Sequence, residues 1–200
     1  METFTIITGS GRCGTSALTK FFINSSRFLI QCSTESPTMR AGYENVFSTS
    51  ANINISKNNI RSAKNTIKRV TQTNDIVKTP TFFFYNTFKF WKENNTKNHL
   101  QVFLLKRDNL ENVFTSASKT SRPRDWDYFQ DALHLQNHYL KNINTLNSNN
   151  IKYIELEFPK FTLNSEYLYT KLLESNFSFT KQEVIDLSKQ TFDPSKITIK

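Results

Sequence analysis

One short segment near the N-terminus holds three of the four glycines in this chain of 200 residues: Gly9, Gly11 and Gly14. It directly follows the apolar run 4–8, which predicts a buried strand, and the pattern after it is typical of a helix start. Glycines at that junction let the backbone turn tightly and let a ligand approach closely. Because free N–H groups and the positive end of the helix dipole converge there, we expect a phosphate or sulfate ester as ligand.

Strand-like apolar runs alternate with helical patterns along the rest of the chain. Strands are predicted over 4–8, 75–78, 100–105 and 151–156. Helices are predicted over 15–24, 58–72, 81–93, 110–120, 125–146, 165–175 and 180–188. This alternation predicts an α/β fold in which helices flank one parallel sheet. The segment 32–57 is polar and irregular, and we expect it to form a loop or a short-helix lid beside the ligand.

Length, charge and cysteine content narrow the class of protein. No linker-like stretch divides residues 1–200, so we expect a single domain. The first residues show no targeting pattern and no apolar stretch is long enough to cross a bilayer, so we expect a cytoplasmic protein. The two cysteines are too few for a disulfide framework. The net charge of +9 favours anionic ligands, but the lysines are scattered, so nucleic acid is the less favoured partner.

Basic residues follow three of the predicted strands at the point where each strand ends. Arg12 lies in the loop after the first strand, Lys78 closes the second, and Lys106 and Arg107 follow the third. Ligands of open parallel sheets bind outside the carboxyl ends of the strands. We therefore expect these strand ends to line one electropositive cleft.

The glycine segment differs from the loop that binds nucleoside triphosphates. That loop reads Gly, four residues, Gly, Lys, and then Ser or Thr. Gly9, Gly14 and Ser16 keep this spacing, but Thr15 occupies the lysine position and the cation has moved to Arg12. No acidic strand end offers an obvious magnesium ligand. A P-loop nucleotide or small-molecule kinase, which needs ATP and magnesium, is therefore the second interpretation.

Residues 12–16, which read Arg-Cys-Gly-Thr-Ser, resemble the first loop of the sulfotransferases that use 3′-phosphoadenosine 5′-phosphosulfate (PAPS). That loop carries Lys or Arg, a small residue, Gly, Thr, and then Thr or Ser. The resemblance implies a P-loop-like fold in which Arg12 stabilises negative charge on the oxygen that leaves with the donor phosphate. It assigns the following residues to the donor: Gly11, Arg12, Cys13, Gly14, Thr15 and Ser16.

A second segment is similar to the family element that holds the 3′-phosphate of the donor. In the family a strand ends in Arg, and a hydroxyl residue follows about two turns into the next helix. Here Arg107 ends the strand; direct counting places Thr115 at the hydroxyl position and leaves Ser116 open. The similarity continues weakly into 151–156, but the glycine-rich late motif is absent. The chain therefore looks closer to the divergent bacterial, viral or carbohydrate-directed branches.

The resemblance implies transfer of a sulfuryl group from PAPS to a hydroxyl or amine, with 3′-phosphoadenosine 5′-phosphate (PAP) as the product and no metal. Cytosolic relatives place a catalytic His after a Lys-Thr pair, where this chain has Pro80. Other branches use a Glu after the first helix, which indicates Glu44, with Glu35 as the reserve and a solvated loop carboxylate as an equal alternative. Lys78 is expected to neutralise the donor sulfate, rather than only to end a strand.

The acceptor stays open at this stage. A sugar, a lipid head group, a peptide tyrosine and a small alcohol all suit a basic, aromatic cleft, so the partner class is a small-molecule, carbohydrate or peptide acceptor. The oligomeric state is also open. Because the base is not fixed, a non-catalytic nucleotide-binding protein of the same fold is the remaining alternative.

One pair of histidines falls outside these motifs. His134 and His138 lie one helical turn apart, a spacing at which two imidazoles can share a metal ion. The pattern lacks both the Glu of a zinc-protease helix and an evident third ligand. A surface helix pair without a metal is therefore the favoured interpretation.

Overall fold

A four-stranded parallel sheet forms the centre of the fold. The computed structural model describes residues 3–10, 13–30, 75–79, 81, 84–94, 99–107, 111 and 128–196. Within them the strands lie in the order β2-β1-β3-β4 and have these bounds: β1 (Thr3–Gly9), β2 (Ile76–Lys78), β3 (His99–Arg107) and β4 (Tyr153–Phe158). The predicted α/β fold with a parallel sheet is confirmed.

Helices flank the sheet, as predicted. Their bounds are α1 (Thr15–Asn24), α2 (Phe84–Asn94), α3 (Tyr128–Ser148), α4 (Lys160–Leu163), α5 (Ser165–Leu173) and α6 (Lys181–Thr191), followed by a 3₁₀ turn at Pro194–Lys196. No helix within the described ranges is long and apolar enough to cross a membrane.

Both faces of the sheet are covered, which explains why the central strands read as continuous apolar runs. Successive side chains of a strand point to opposite faces, so alternate residues enter two separate cores. Phe103 and Leu105 of β3 pack on one face with residues of α1, α5 and α6. Val102 and Leu104 pack on the other face with residues of α2 and α3. The direction of each strand-end side chain follows from the same alternation.

The chain leaves the two inner strands in opposite directions. From β1 it continues to β2 on one side, and from β3 it continues to β4 on the other side. A parallel sheet with this order opens a crevice at the carboxyl ends of the two strands where the direction reverses. That point lies between β1 and β3, directly beside the glycine segment.

Most predicted elements agree with the structure within a few residues. The helix predicted over 15–24 is confirmed at those bounds, whereas the helix predicted from residue 81 begins at Phe84. The short α4 was not predicted because four residues carry no readable periodicity. The predicted helix 58–72 and the lid 32–57 lie outside the described residues, as does nearly all of the predicted helix 110–120.

A capping box fixes the start of α6. The Thr180 hydroxyl accepts a hydrogen bond from the Glu183 backbone N–H at 3.3 Å, and the Glu183 carboxylate accepts one from the Thr180 N–H at 2.7 Å. Two N–H groups that a helix end leaves without partners are thereby satisfied. The Thr180 backbone N–H, followed by the Thr180 hydroxyl and Arg27, holds the pKa of Glu183 below its ordinary value.

Candidate functional site

The glycine segment is joined tightly to the end of β3. A side-chain carbon at Gly9 would lie 2.4 Å from the Leu105 carbonyl oxygen and 2.4 Å from Cys13 Sγ, so no larger residue fits there. The Ser10 N–H donates to the same Leu105 oxygen at 2.9 Å. Cys13 is fully buried in the core. The backbone therefore turns at the carboxyl edge of β1 with no room for a side chain at its first position.

Gly14 begins α1 in a conformation that favours glycine. Its φ is +82°, and a side-chain carbon there would lie 2.4 Å from Cδ2 of Phe158. The Leu18 N–H donates to the Gly14 carbonyl at 3.0 Å, which closes the first turn. No residue of that turn is acidic. The positive end of the α1 dipole therefore has no neutralising side chain from its own helix.

Lys78 brings an ammonium group to this helix end. Its Nζ donates to Ser16 Oγ at 2.8 Å, although Lys78 lies 62 residues further along the chain. Parallel pairing places Lys78 opposite Ile7 of β1, and its side chain lies on the α1 face with that of Ile76. Lys78 is only 4 % exposed. A buried cation and a helix N-terminus thus meet at one place.

Arg107 lies at the end of β3, on the other side of β1. Its side chain is largely buried, and its guanidinium carbon lies 5.0 Å from the centroid of the Phe158 ring. Phe158 is also the ring against which Gly14 packs. One aromatic ring therefore contacts both the glycine segment and the arginine for which the resemblance implies a phosphate partner.

Lys106, the neighbour of Arg107, lies on the opposite face of the sheet. Its Nζ is 2.5 Å from a Glu155 oxygen and 3.4 Å from a Glu157 oxygen. The hydrogen bond that Lys106 donates to the Glu155 carboxylate is the largest effect on the pKa of Lys106 and raises it. Strand alternation separates the two neighbours: Arg107 shares the face of Lys78, and Lys106 forms ion pairs on edge strand β4.

Two buried residues that were not predicted as site residues hold the glycine segment in place through hydrogen bonds. The Thr81 hydroxyl donates to the Gly9 carbonyl, and Asn142 Nδ2 of α3 donates to the Thr81 carbonyl at 2.8 Å. Both residues are buried. The sequence offered no periodic or motif signal for this chain of contacts, since it joins three segments far apart in the sequence.

Buried hydroxyl groups also lie at the end of β1. Ser10 is 2 % exposed and Thr8 is fully buried. Neither hydroxyl forms a hydrogen bond to another residue in the part of the chain that the structure describes. Burial of a hydroxyl without a hydrogen-bond partner is unfavourable. An oxygen atom of a ligand at the glycine segment would accept a hydrogen bond from the Ser10 hydroxyl.

The predicted site residues divide into two groups. The structure brings together the described ones at the carboxyl edge of the sheet: Cys13, Gly14, Thr15, Ser16, Lys78 and Arg107. The others lie outside the described residues: Gly11, Arg12, Glu35, Glu44, Thr115 and Ser116. Only part of the predicted donor site is therefore described, and Arg12, the hydroxyl residues after Arg107 and the predicted base are not.

No protein-family model matches the sequence, and no curated protein matches it either. The assignment of a function therefore rests on the residues at the carboxyl edge of β1, β2 and β3.

Proposed function

We propose that this chain is a PAPS-dependent sulfotransferase with a P-loop-like fold, acting on a hydroxyl or amine of a small-molecule, carbohydrate or peptide acceptor. The observation that carries the proposal is the contact between Lys78 Nζ and Ser16 Oγ at the start of α1, directly after the left-handed Gly14. It concentrates positive charge beside backbone N–H groups.

The charge at this point favours an anion. A largely buried ammonium and the positive end of a helix dipole repel each other weakly, and a bound phosphate or sulfate group would be attracted by both. An anion at a helix N-terminus gains about 0.3–1 kcal/mol, and a hydrogen bond to a charged group about 1.5–3 kcal/mol. We assign the 5′-phosphosulfate of the donor to this end of α1, with Arg12 in the same loop.

A second anionic group of the donor is assigned to Arg107. The guanidinium offers a planar fork of N–H donors that matches two phosphate oxygens, and its carbon lies over the Phe158 ring. Arg107 and the glycine segment flank the crevice at which the sheet order reverses. The 3′-phosphate distinguishes PAPS from ATP, and Thr115 or Ser116 would add a hydroxyl donor to it.

The proposed chemistry requires no metal. The acceptor oxygen or nitrogen forms a bond to sulfur as the bond from sulfur to the 5′-phosphate oxygen breaks, and the electron pair stays on that oxygen of PAP. Lys78 and Arg12 stabilise the charge that develops there. Glu44 is proposed to accept the proton that the acceptor loses.

One observation favours this chemistry over a magnesium-dependent kinase. In nucleoside-triphosphate loops the hydroxyl at the position of Ser16 binds magnesium. Here that hydroxyl accepts a hydrogen bond from the Lys78 ammonium. A divalent cation at the same oxygen would be repelled by the ammonium, which is only a hydrogen bond away.

The test is the thermal stability of the protein in the presence of PAP, ADP, or ATP with magnesium. A ligand that binds the native state raises the melting temperature, and we expect PAP to raise it most. Lys78→Met should reduce this shift, because the variant binds PAP more weakly. Lys152→Met is the matched control, because Lys152 is an exposed lysine at the opposite end of the sheet and should leave the shift unchanged.

The other outcomes separate the alternatives. Stabilisation only by ATP with magnesium would place the kinase first. Stabilisation by PAP, without release of PAP from PAPS in the presence of any of a panel of sugars, phenols and amines, would indicate the non-catalytic nucleotide-binding protein. The absence of any shift would contradict the assigned donor site.

A further inference from the structure

The two histidines of α3 form a pair that the proposed transferase chemistry does not use. His134 Nε2 and His138 Nε2 lie 3.1 Å apart, and their ring planes are inclined by 75°. His134 is exposed and His138 is half-buried, so the two nitrogen atoms meet near the protein surface. Spacing of four residues places them on successive turns of one helix face.

The separation of the two nitrogens suits a shared metal ion. Imidazole nitrogens bind Zn²⁺ at about 2.0–2.1 Å. Two nitrogens 3.1 Å apart, each at about that distance from one ion, subtend an angle of about 100°. This angle lies between the right angle of square-planar coordination and the wider tetrahedral angle, so the separation of the two nitrogens fits either geometry.

We propose that His134 and His138 together chelate a late first-row divalent ion: Cu²⁺, Ni²⁺ or Zn²⁺. Imidazole is a favoured ligand of these ions. No cluster of three or more His, Cys, Asp or Glu residues that could hold a metal occurs in the ranges the structure describes. Among the described residues the proposed site therefore offers two nitrogen ligands, and an ion held by two protein nitrogens exchanges more readily than one in a closed four-ligand site.

The protonation state of His138 agrees with this role. Burial lowers the pKa of His138 below its ordinary value, and the charges of His134 and Lys141 lower it further. The imidazole is therefore neutral near pH 7, which is the form that binds metals. Without an ion, one ring donates its Nε2 proton to the other; with an ion, both rings carry their proton on Nδ1.

Calorimetric titration of the untagged chain with NiCl₂ at pH 7.5 tests the proposal. We expect one site that is weakened at least tenfold by His134→Gln and by His138→Gln. The chain contains three histidines, so His99→Gln is a matched control that removes the one outside the pair and should bind Ni²⁺ as the unmodified chain does. Equal affinity in all three variants, or loss only with His99→Gln, would overturn the proposal.

A second measurement guards against a trivial loss through misfolding. An ion that joins two turns of α3 binds the folded chain and not the unfolded one, so Ni²⁺ should raise the melting temperature. The rise should vanish in His134→Gln and His138→Gln while their melting temperatures without metal stay unchanged. A rise of the same size in these variants would assign the metal to another place. We expect His134→Gln to bind PAP as tightly as the unmodified chain does. The metal-binding result is therefore independent of the transferase proposal.

Discussion

Replacement of Gly14 by alanine should destabilise the protein strongly, for two separable reasons. Gly14 has a φ of +82°, and an L-residue in the left-handed region costs roughly 1–2 kcal/mol. The new methyl carbon would also lie 2.4 Å from Cδ2 and 3.0 Å from Cε2 of Phe158, and 3.0 Å from Cζ of Phe161. Overpacking of this kind costs about 1–3 kcal/mol, so we expect a loss of about 2–5 kcal/mol in the free energy of unfolding.

Urea denaturation followed by circular dichroism measures this loss directly. The double variant Gly14→Ala, Phe158→Ala separates the two causes, because alanine at position 158 lacks the Cδ2 and Cε2 atoms that the new methyl group would meet. Relative to Phe158→Ala alone, the added alanine should cost the backbone term of roughly 1–2 kcal/mol, together with what remains of the contact with Cζ of Phe161. The difference between the two backgrounds gives the contribution of the steric contact.

Ser26 provides the control for the backbone term. It follows α1 with a φ of +54° and is exposed, so glycine there should relieve strain without removing a buried contact. We expect Ser26→Gly to leave the stability unchanged or to raise it slightly. A loss of less than about 1 kcal/mol for Gly14→Ala would refute the reasoning, because it lies below the backbone cost alone.

Three further predictions concern the helix cap and the buried lysine. Thr180→Ala removes the capping box of α6 and should lower the free energy of unfolding by about 1 kcal/mol in urea; no change would mean that the box does not hold in solution. The pKa of Glu183 is lower in the folded chain than its ordinary value of 4.5, so the charged carboxylate stabilises the fold at pH values above 4.5. This stabilisation is lost as the pH falls through the pKa of the folded state. The stability difference between the unmodified chain and Glu183→Gln should therefore narrow below pH 4.5, and a constant difference would contradict the assignment. Lys78→Met should weaken PAP binding in calorimetry at least tenfold, about 1.4 kcal/mol, because it removes the buried ammonium at the start of α1. A variant that unfolds more readily yet binds PAP normally would assign Lys78 a structural role.

The sequence predicts the parts of the fold that depend on local patterns. The apolar run in β1 and the glycines after it indicate a strand, a tight turn and a helix start, and the structure has all three. Gly14 could be recognised as a special position because glycine is the residue that tolerates a left-handed conformation. Its packing against Phe158 could not, because the two residues belong to distant elements.

Contacts between distant segments explain what the sequence did not predict. The position of Lys78 follows from the register of β2 on β1, and its contact with Ser16 depends on how α1 packs over that pair. The support of the loop by Thr81 and Asn142 depends on the placement of α3. The alternation of β3 did hold the information that Lys106 and Arg107 point to opposite faces, since residues two apart share a face and neighbours do not.

The proposed function requires Arg107, at the edge where the sheet order reverses, to recognise the 3′-phosphate of the donor. Calorimetric affinities for PAP and for AMP, which lacks that phosphate, test it most directly in the unmodified chain and in Arg107→Gln. We predict that the unmodified chain binds PAP at least tenfold more tightly than AMP, and that Arg107→Gln removes this preference while its AMP affinity stays unchanged. An unmodified chain without the preference, or a variant that retains it, would contradict the claim.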